Sequence, residues 1–198
     1  MRISQLLTAP NQLTLLRMLF LPFVVNSLVD GHYRVALTLF VLAGLSDGLD
    51  GLLARRLHQQ TVLGQYLDPI ADKLLLSTLF LVLSVLHEIP WKYTVMVFSR
   101  DMAILATSAV LYTIAGLRNF TPSIFGKANT CAQIAAIFFV MLFQIYPTRA
   151  LWIARTVLLW ATFAFTAISW VHYALLAQTR LRGPQAADAR SGSSRQVA

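Results

Sequence analysis

VALTLFVLAGLSDGLDGLLARRLHQQTVLGQYLDPIAD, residues 35–72, is the stretch that decides how the chain is read. The apolar run 33–55 is long enough to cross a hydrocarbon layer, which takes about 20 residues as a helix. It ends on Arg55-Arg56-Leu57-His58, and a second apolar run, 66–87, follows a short polar loop. Four carboxylates sit where the two runs approach each other: Asp47, Asp50, Asp68 and Asp72. Placing such groups in a membrane costs about 2.5 kcal/mol each or more, so they need a partner or a task. Asp47 and Asp50 are three residues apart and share a helix face; Asp68 and Asp72, four apart, do the same. The short loop predicts that the two helices are antiparallel neighbours, so that the four carboxylates converge. Left alone they would repel and take up protons. Around hard divalent cations they form an oxygen-only cage, which favours Mg²⁺ or Mn²⁺ over zinc or copper. Such ions usually act together with substrate phosphates.

The rest of the chain agrees with a membrane setting. Of 198 residues, 57% are apolar and 12% charged, against about a quarter charged in an ordinary soluble domain. With a mean hydropathy of +0.65, this excludes a disordered or collagen-like chain and most soluble folds. Apolar runs at 12–30, 33–55, 66–87, 93–116, 128–146 and 151–177 predict an all-α membrane protein of six transmembrane helices, with Arg2–Pro10 as a short N-terminal interfacial segment. Arg2 is followed by no small-residue cleavage pattern, so a signal peptide is not expected. Residues 1–178 read as one transmembrane domain and 179–198 as a disordered polar tail. The lone Cys131 excludes a disulfide within one chain.

The net charge is +8, and the bases gather at the ends of the apolar runs, which points to membrane orientation and anionic lipid rather than nucleic acid. Alternate loops place Arg2, Arg55, Arg56, Arg118, Lys127, Arg180 and Arg182 on one side and Arg34, Lys92 and Arg149 on the other. The first side is expected to be cytoplasmic, with both termini and the loops 55–65 and 117–127.

Further residues around the carboxylates suit a phosphate. Gly51 and Gly64 remove side chains near them, at up to about 1 kcal/mol each relative to alanine in a helix. Ala54 keeps the same face small, and Arg55, one turn beyond Gly51, offers a fixed positive charge. Pro69 fits the first turn of a helix starting near Gln65. The full pattern, Asp47-x2-Asp50-Gly51-x2-Ala54-Arg55-x8-Gly64-x3-Asp68-x3-Asp72, resembles the signature of the CDP-alcohol phosphatidyltransferase family in every specified position. Asn11-Gln12-Leu13-Thr14-Leu15-Leu16-Arg17, Ser99-Arg100-Asp101 and Gly126-Lys127-Ala128-Asn129-Thr130 resemble its other polar elements, whereas the last span carries no signature.

The resemblance implies six transmembrane helices, a homodimer, and a polar cavity facing the cytoplasm, in a chain expected in a bacterial cytoplasmic membrane. It implies transfer of a phosphatidyl group from CDP-diacylglycerol to an alcohol, with release of CMP, and two divalent cations. Carried over, Asp47, Asp50, Asp68 and Asp72 would be metal ligands, and Asp72 also the general base. Asn11, Thr14, Gly51, Arg55, Thr61 and Gly64 would contact the CDP-lipid. The acceptor is expected to be glycerol 3-phosphate, as in the phosphatidylglycerophosphate synthase branch. Phosphatidylglycerol, as in the cardiolipin synthases, is the alternative, and the inositol-phosphate and serine branches stay open. Outside the family, a membrane prenyltransferase would lack the Gly51, Ala54, Arg55 and Gly64 pattern, and an ion transporter would need charges deeper in the membrane.

A phosphorylated acceptor calls for cations, and Arg100 and Lys127 are the candidates. Asp101 reads equally well as half of a structural intramembrane salt bridge. Arg118 fits the charge bias alone. Lys73, about 100° around the helix from Asp72, is expected to snorkel or to pair with a neighbour. His32, His58, His87 and His172 read as interfacial residues, and Trp91, Trp152 and Tyr146 as an aromatic belt.

Overall fold

The computed structural model describes the backbone of residues 9–57, 62–115 and 124–170, and the side chains of 18–46, 73–103, 126 and 128–170. The described residues form six helices and no strand: α1 (Ala9–Val29), α2 (Tyr33–Leu57), α3 (Val62–Val85), α4 (Trp91–Ala115), α5 (Ile124–Ile145) and α6 (Arg149–Trp170). Each helix begins within a few residues of its expected apolar run, and α1–α5 end within a few residues of theirs; residues 171–177 of the last run lie outside the described residues. Ala9 and Pro10, expected in an interfacial segment, already belong to α1; residues 1–8 and the tail 179–198 lie outside the described residues.

Tight turns reverse the chain at the end opposite the aspartates. Gly31 (φ +74°) closes α1: its N–H donates to the Leu28 carbonyl at 3.0 Å, and the His32 N–H to the Ser27 carbonyl at 2.8 Å. That pair of bonds is a Schellman cap, which needs one left-handed residue. The end of α3 repeats it with His87 (φ 64°) in the left-handed position: His87 N–H donates to Ser84 and Glu88 N–H to Leu83. Thr148 caps α6, its hydroxyl accepting the Leu151 N–H at 3.3 Å, the usual use of threonine before a first turn.

The core gathers Val24 and Leu28 of α1, Phe40 of α2, Leu76, Leu79, Phe80 and Leu83 of α3, and Ile137, Val140 and Met141 of α5. These recur every three or four residues, the spacing of one buried helix face. The outer surface is apolar too: Val95, Met102, Val157, Trp160 and Ile168 are exposed, while Thr94, Asn129, Gln133, Thr162 and Thr166 are buried. Polar groups inside and large apolar groups outside are the arrangement a lipid environment selects. Two segments are by themselves long and apolar enough to cross a membrane, Ala128–Ile145 of α5 and the whole of α6. Among the described residues, α1, α2 and α3 contribute the apolar stretches Met18–Val29, Tyr33–Ser46 and Lys73–Val85.

Among the described residues, α1 and α5 each pack against both α2 and α3, and their apolar side chains join those of α2 and α3 in one core. One expectation needs correction. Pro69 is not in the first turn, because α3 starts at Val62 and runs through it. The proline therefore leaves the Gln65 carbonyl without its intrahelical donor, which a helix tolerates where other groups reach that carbonyl.

Candidate active site

Because successive helices alternate in direction, one end of the bundle collects the first half of α1, the second half of α2, the first half of α3, the second half of α4 and the first half of α5. Hydrogen bonds confirm this register: Lys73 of α3 meets Asp101 of α4 at this end, whereas the Ser84 and Thr94 hydroxyls meet toward the other. The near end thus receives Asn11 and Thr14 from α1, Asp47, Asp50, Gly51 and Arg55 from α2, Gly64, Asp68 and Asp72 from α3, and Lys127 from α5. The side chains of these residues lie outside the described set, as does Thr61 altogether. Among the described residues there is no cluster of three or more His, Cys, Asp or Glu suited to a metal.

Arg100 and Asp101 are buried within α4. The Asp101 Oδ1 accepts Lys73 Nζ at 2.6 Å and Arg100 Nη1 at 2.7 Å. The expected pairing of Lys73 with a neighbour is therefore present, and Asp101 does form a salt bridge buried among the helices. Arg100 keeps a buried Nε without a hydrogen-bond partner among the described residues.

A polar seam joins α5 to α6. Thr166 Oγ1 donates to Asn129 Oδ1 at 3.1 Å, and Gln133, Thr162 and Ser169 are buried along the same contact. Asn129 Nδ2, Gln133 Nε2, Thr162 Oγ1 and Ser169 Oγ have no partner there among the described residues. Asn129 belongs to a motif visible in the sequence. Its partners were missed because the last span was read as apolar. The signal was the recurrence of Thr162, Thr166 and Ser169 at helical spacing.

The far end holds a second polar cluster. Glu88, just past α3, accepts the Tyr33 hydroxyl at 3.4 Å and the Gln144 side-chain amide. Partial burial raises the Glu88 carboxyl above its ordinary pKa, opposed by the Tyr33 hydrogen bond and the nearby Arg155. The Arg155 guanidinium lies 4.6 Å from the centre of the Phe143 ring. A base six residues into α6 was the overlooked sign that this end is polar inside. His32 and His87 are exposed at the turns, Trp91, Trp152 and Tyr146 are exposed as an interfacial belt requires, and Lys92 Nζ stands 4.8 Å from the Trp160 ring. His58 and His172 lie outside the described residues.

Comparison with known proteins bears directly on the near end. The sequence model of the CDP-alcohol phosphatidyltransferase family matches residues 7–168, which takes in every motif named above. The chain is 34% identical over 191 residues to the human cardiolipin synthase (CMP-forming), covering 84% of this chain and 61% of that protein. It therefore spans about three fifths of the length of that relative, and equally of the rat one. It is 34% identical over 170 residues to a probable phosphatidylglycerophosphate synthase of Mycobacterium tuberculosis, covering 82% of this chain and 78% of that one. With the CDP-diacylglycerol–glycerol-3-phosphate 3-phosphatidyltransferase of Aquifex aeolicus it shares 31% identity over 175 residues, covering 85% of this chain and 95% of the relative. By the match over most of its length, the chain belongs to the CDP-alcohol phosphatidyltransferase family.

Proposed function

We propose that this protein transfers the phosphatidyl group of CDP-diacylglycerol to an alcohol and releases CMP. The observation that carries the reading is the delivery of the whole aspartate signature, on α2 and α3, to one end of a helical bundle with Lys73, Arg100 and Asp101. All six helices would then span the membrane, with the aspartate end and both termini at the cytoplasmic face of a bacterial inner membrane. We take 1–178 as the membrane domain, 179–198 as a tail, and the working form as a homodimer.

The donor set suits two Mg²⁺ or Mn²⁺ ions, because it is made of carboxylates alone. Asp47, Asp50, Asp68 and Asp72 would hold them. When bound, the metals neutralise the diphosphate and the departing CMP. Asn11, Thr14, Gly51, Arg55, Thr61 and Gly64 bind the CDP part. The Asp72 carboxylate takes the proton of the acceptor hydroxyl as its oxygen bonds to the phosphatidyl phosphorus. The phosphoanhydride bond to CMP breaks in the same displacement, and CMP leaves with that electron pair. Arg100 and Lys127 hold the phosphate of the acceptor.

Glycerol 3-phosphate is the acceptor this reading favours, since the chain spans nearly all of a relative named for that acceptor. Phosphatidylglycerol is the second reading, because the cardiolipin synthases match equally well. Purified protein given CDP-diacylglycerol and each acceptor in turn, with the lipid product identified, separates the two. Phosphatidylglycerophosphate supports the first reading and cardiolipin the second. No CMP release with any alcohol would overturn both.

A further inference from the structure

The Lys73–Asp101–Arg100 cluster places two cations on a single carboxylate oxygen. The Arg100 and Asp101 side chains are each only 6% exposed, and Lys73 is 29% exposed. Arg100 neighbours Asp101 in sequence, so its bond stays within α4 and fixes no second element. The Lys73 bond is different, since it reaches from α3 across to α4. Lys73 also directly follows Asp72 and lies five residues after Asp68, about 7.5 Å along the helix. An ammonium in apolar surroundings must find an anion, because an unpaired buried charge is costly. Without the Asp101 charge, the carboxylate nearest to Lys73 in sequence is Asp72, one residue back, the same interval that Arg100 bridges to reach Asp101; Asp68, five residues back, lies about 140° around the helix. A carboxylate paired with a lysine is a poorer metal ligand, because the cation must displace the ammonium first.

We propose that Asp101 is a positioning residue, which holds the Lys73 ammonium on α4 and so keeps that cation off the carboxylate of Asp72. This rests on the reading of Asp72 as a metal ligand. It assigns Asp101 a task beyond joining α3 to α4: it preserves the affinity of the neighbouring site for divalent cations. A tie that only holds the two helices together makes a different forecast, because removing Lys73 as well as Asp101 would not repair it.

The test is Mn²⁺ binding to the purified full-length protein, with free Mn²⁺ counted by electron paramagnetic resonance. Asp101→Asn is expected to raise the apparent Kd about tenfold, which is about 1.4 kcal/mol. The double variant Lys73→Met/Asp101→Asn is expected to return to within about threefold of the wild type, and Asp101→Glu to bind like the wild type. Unchanged affinity in Asp101→Asn, or a double variant as weak as Asp101→Asn, overturns the proposal. If Asp101→Asn does not survive purification, Lys73→Met is compared with the double variant. Affinities within about threefold of the wild type in both variants support the proposal, and a loss of about tenfold, shared by both or added by Asp101→Asn, overturns it. Wild-type protein that binds no Mn²⁺ overturns the metal-site reading itself, whereas binding that is insensitive to Asp101 overturns this inference alone.

Discussion

The two ends of the bundle handle charge in opposite ways. At the far end one carboxylate, Glu88, is met by the Tyr33 hydroxyl, the Gln144 amide and the field of Arg155, so the groups that surround it come from α2, α5 and α6. At the near end the sequence brings four aspartates on α2 and α3, while the one buried carboxylate of α4 already serves two cations. The far end is balanced by the chain's own groups and acts as a clasp. On the proposed reading, the near end concentrates carboxylates whose complement comes from metal and substrate. A carboxylate among apolar helices therefore does not by itself mark a site; on that reading, what distinguishes the ends is where the complement comes from.

The sharpest way to break this contrast is to remove one carboxylate from each end. Asp72→Asn is expected to lower turnover by about 10²–10⁴-fold, the range for a lost general base, while CDP-diacylglycerol binding stays measurable. Glu88→Gln should leave turnover within about twofold. A steady-state assay of CMP release on both variants decides it, and near-normal turnover by Asp72→Asn would contradict the assignment.

Stability should respond in the reverse order. Glu88→Ala strands the Tyr33 hydroxyl and the Gln144 amide, at about 1–3 kcal/mol in total for buried groups left unpaired, and should lower the thermal midpoint with little change in activity per folded molecule. A midpoint equal to the wild type would show that the clasp holds nothing.

Acidity sharpens the same point. Burial raises the Glu88 carboxyl above 4.5 in the folded protein. The folded state therefore binds the proton more tightly than the unfolded one. Its contribution to stability is complete below about 4.5 and is lost as pH rises through the folded value. Glu88→Gln should flatten that part of the profile of thermal midpoint against pH, and an unaltered slope would contradict the burial argument.

The smallest effect belongs to the turns. Gly31 has open space where a Cβ would stand, so Gly31→Ala should cost only the left-handed backbone penalty, about 1 kcal/mol, and should leave activity alone. A thermal melt and a CMP assay on one preparation check both.

Sequence reading and structure agree where periodicity and spacing carry the information. The six helices, the positions of Asp47, Asp50, Asp68 and Asp72 on α2 and α3, and the exposed Trp91, Trp152, Tyr146, His32 and His87 near helix ends follow from runs, intervals and charge bias. Spatial relations are another matter. That α1 and α5 each pack against both α2 and α3 depends on which apolar faces meet, and a short loop does not reveal it. Pro69 was misplaced by one turn because a membrane helix tolerates an internal proline. Arg155 and the Thr162, Thr166 and Ser169 stripe were legible as polar residues in an apolar run. Glu88, on which the Arg155 charge acts, and Asn129, which Thr166 bonds, lie 67 and 37 residues away respectively, beyond the reach of any local pattern.

Metal-dependent displacement of CMP at the near end is tested by CMP release from CDP-diacylglycerol by the purified protein at fixed acceptor. Release should stop in excess chelator and return when Mg²⁺ or Mn²⁺ is restored. Full release in the presence of excess chelator would contradict it.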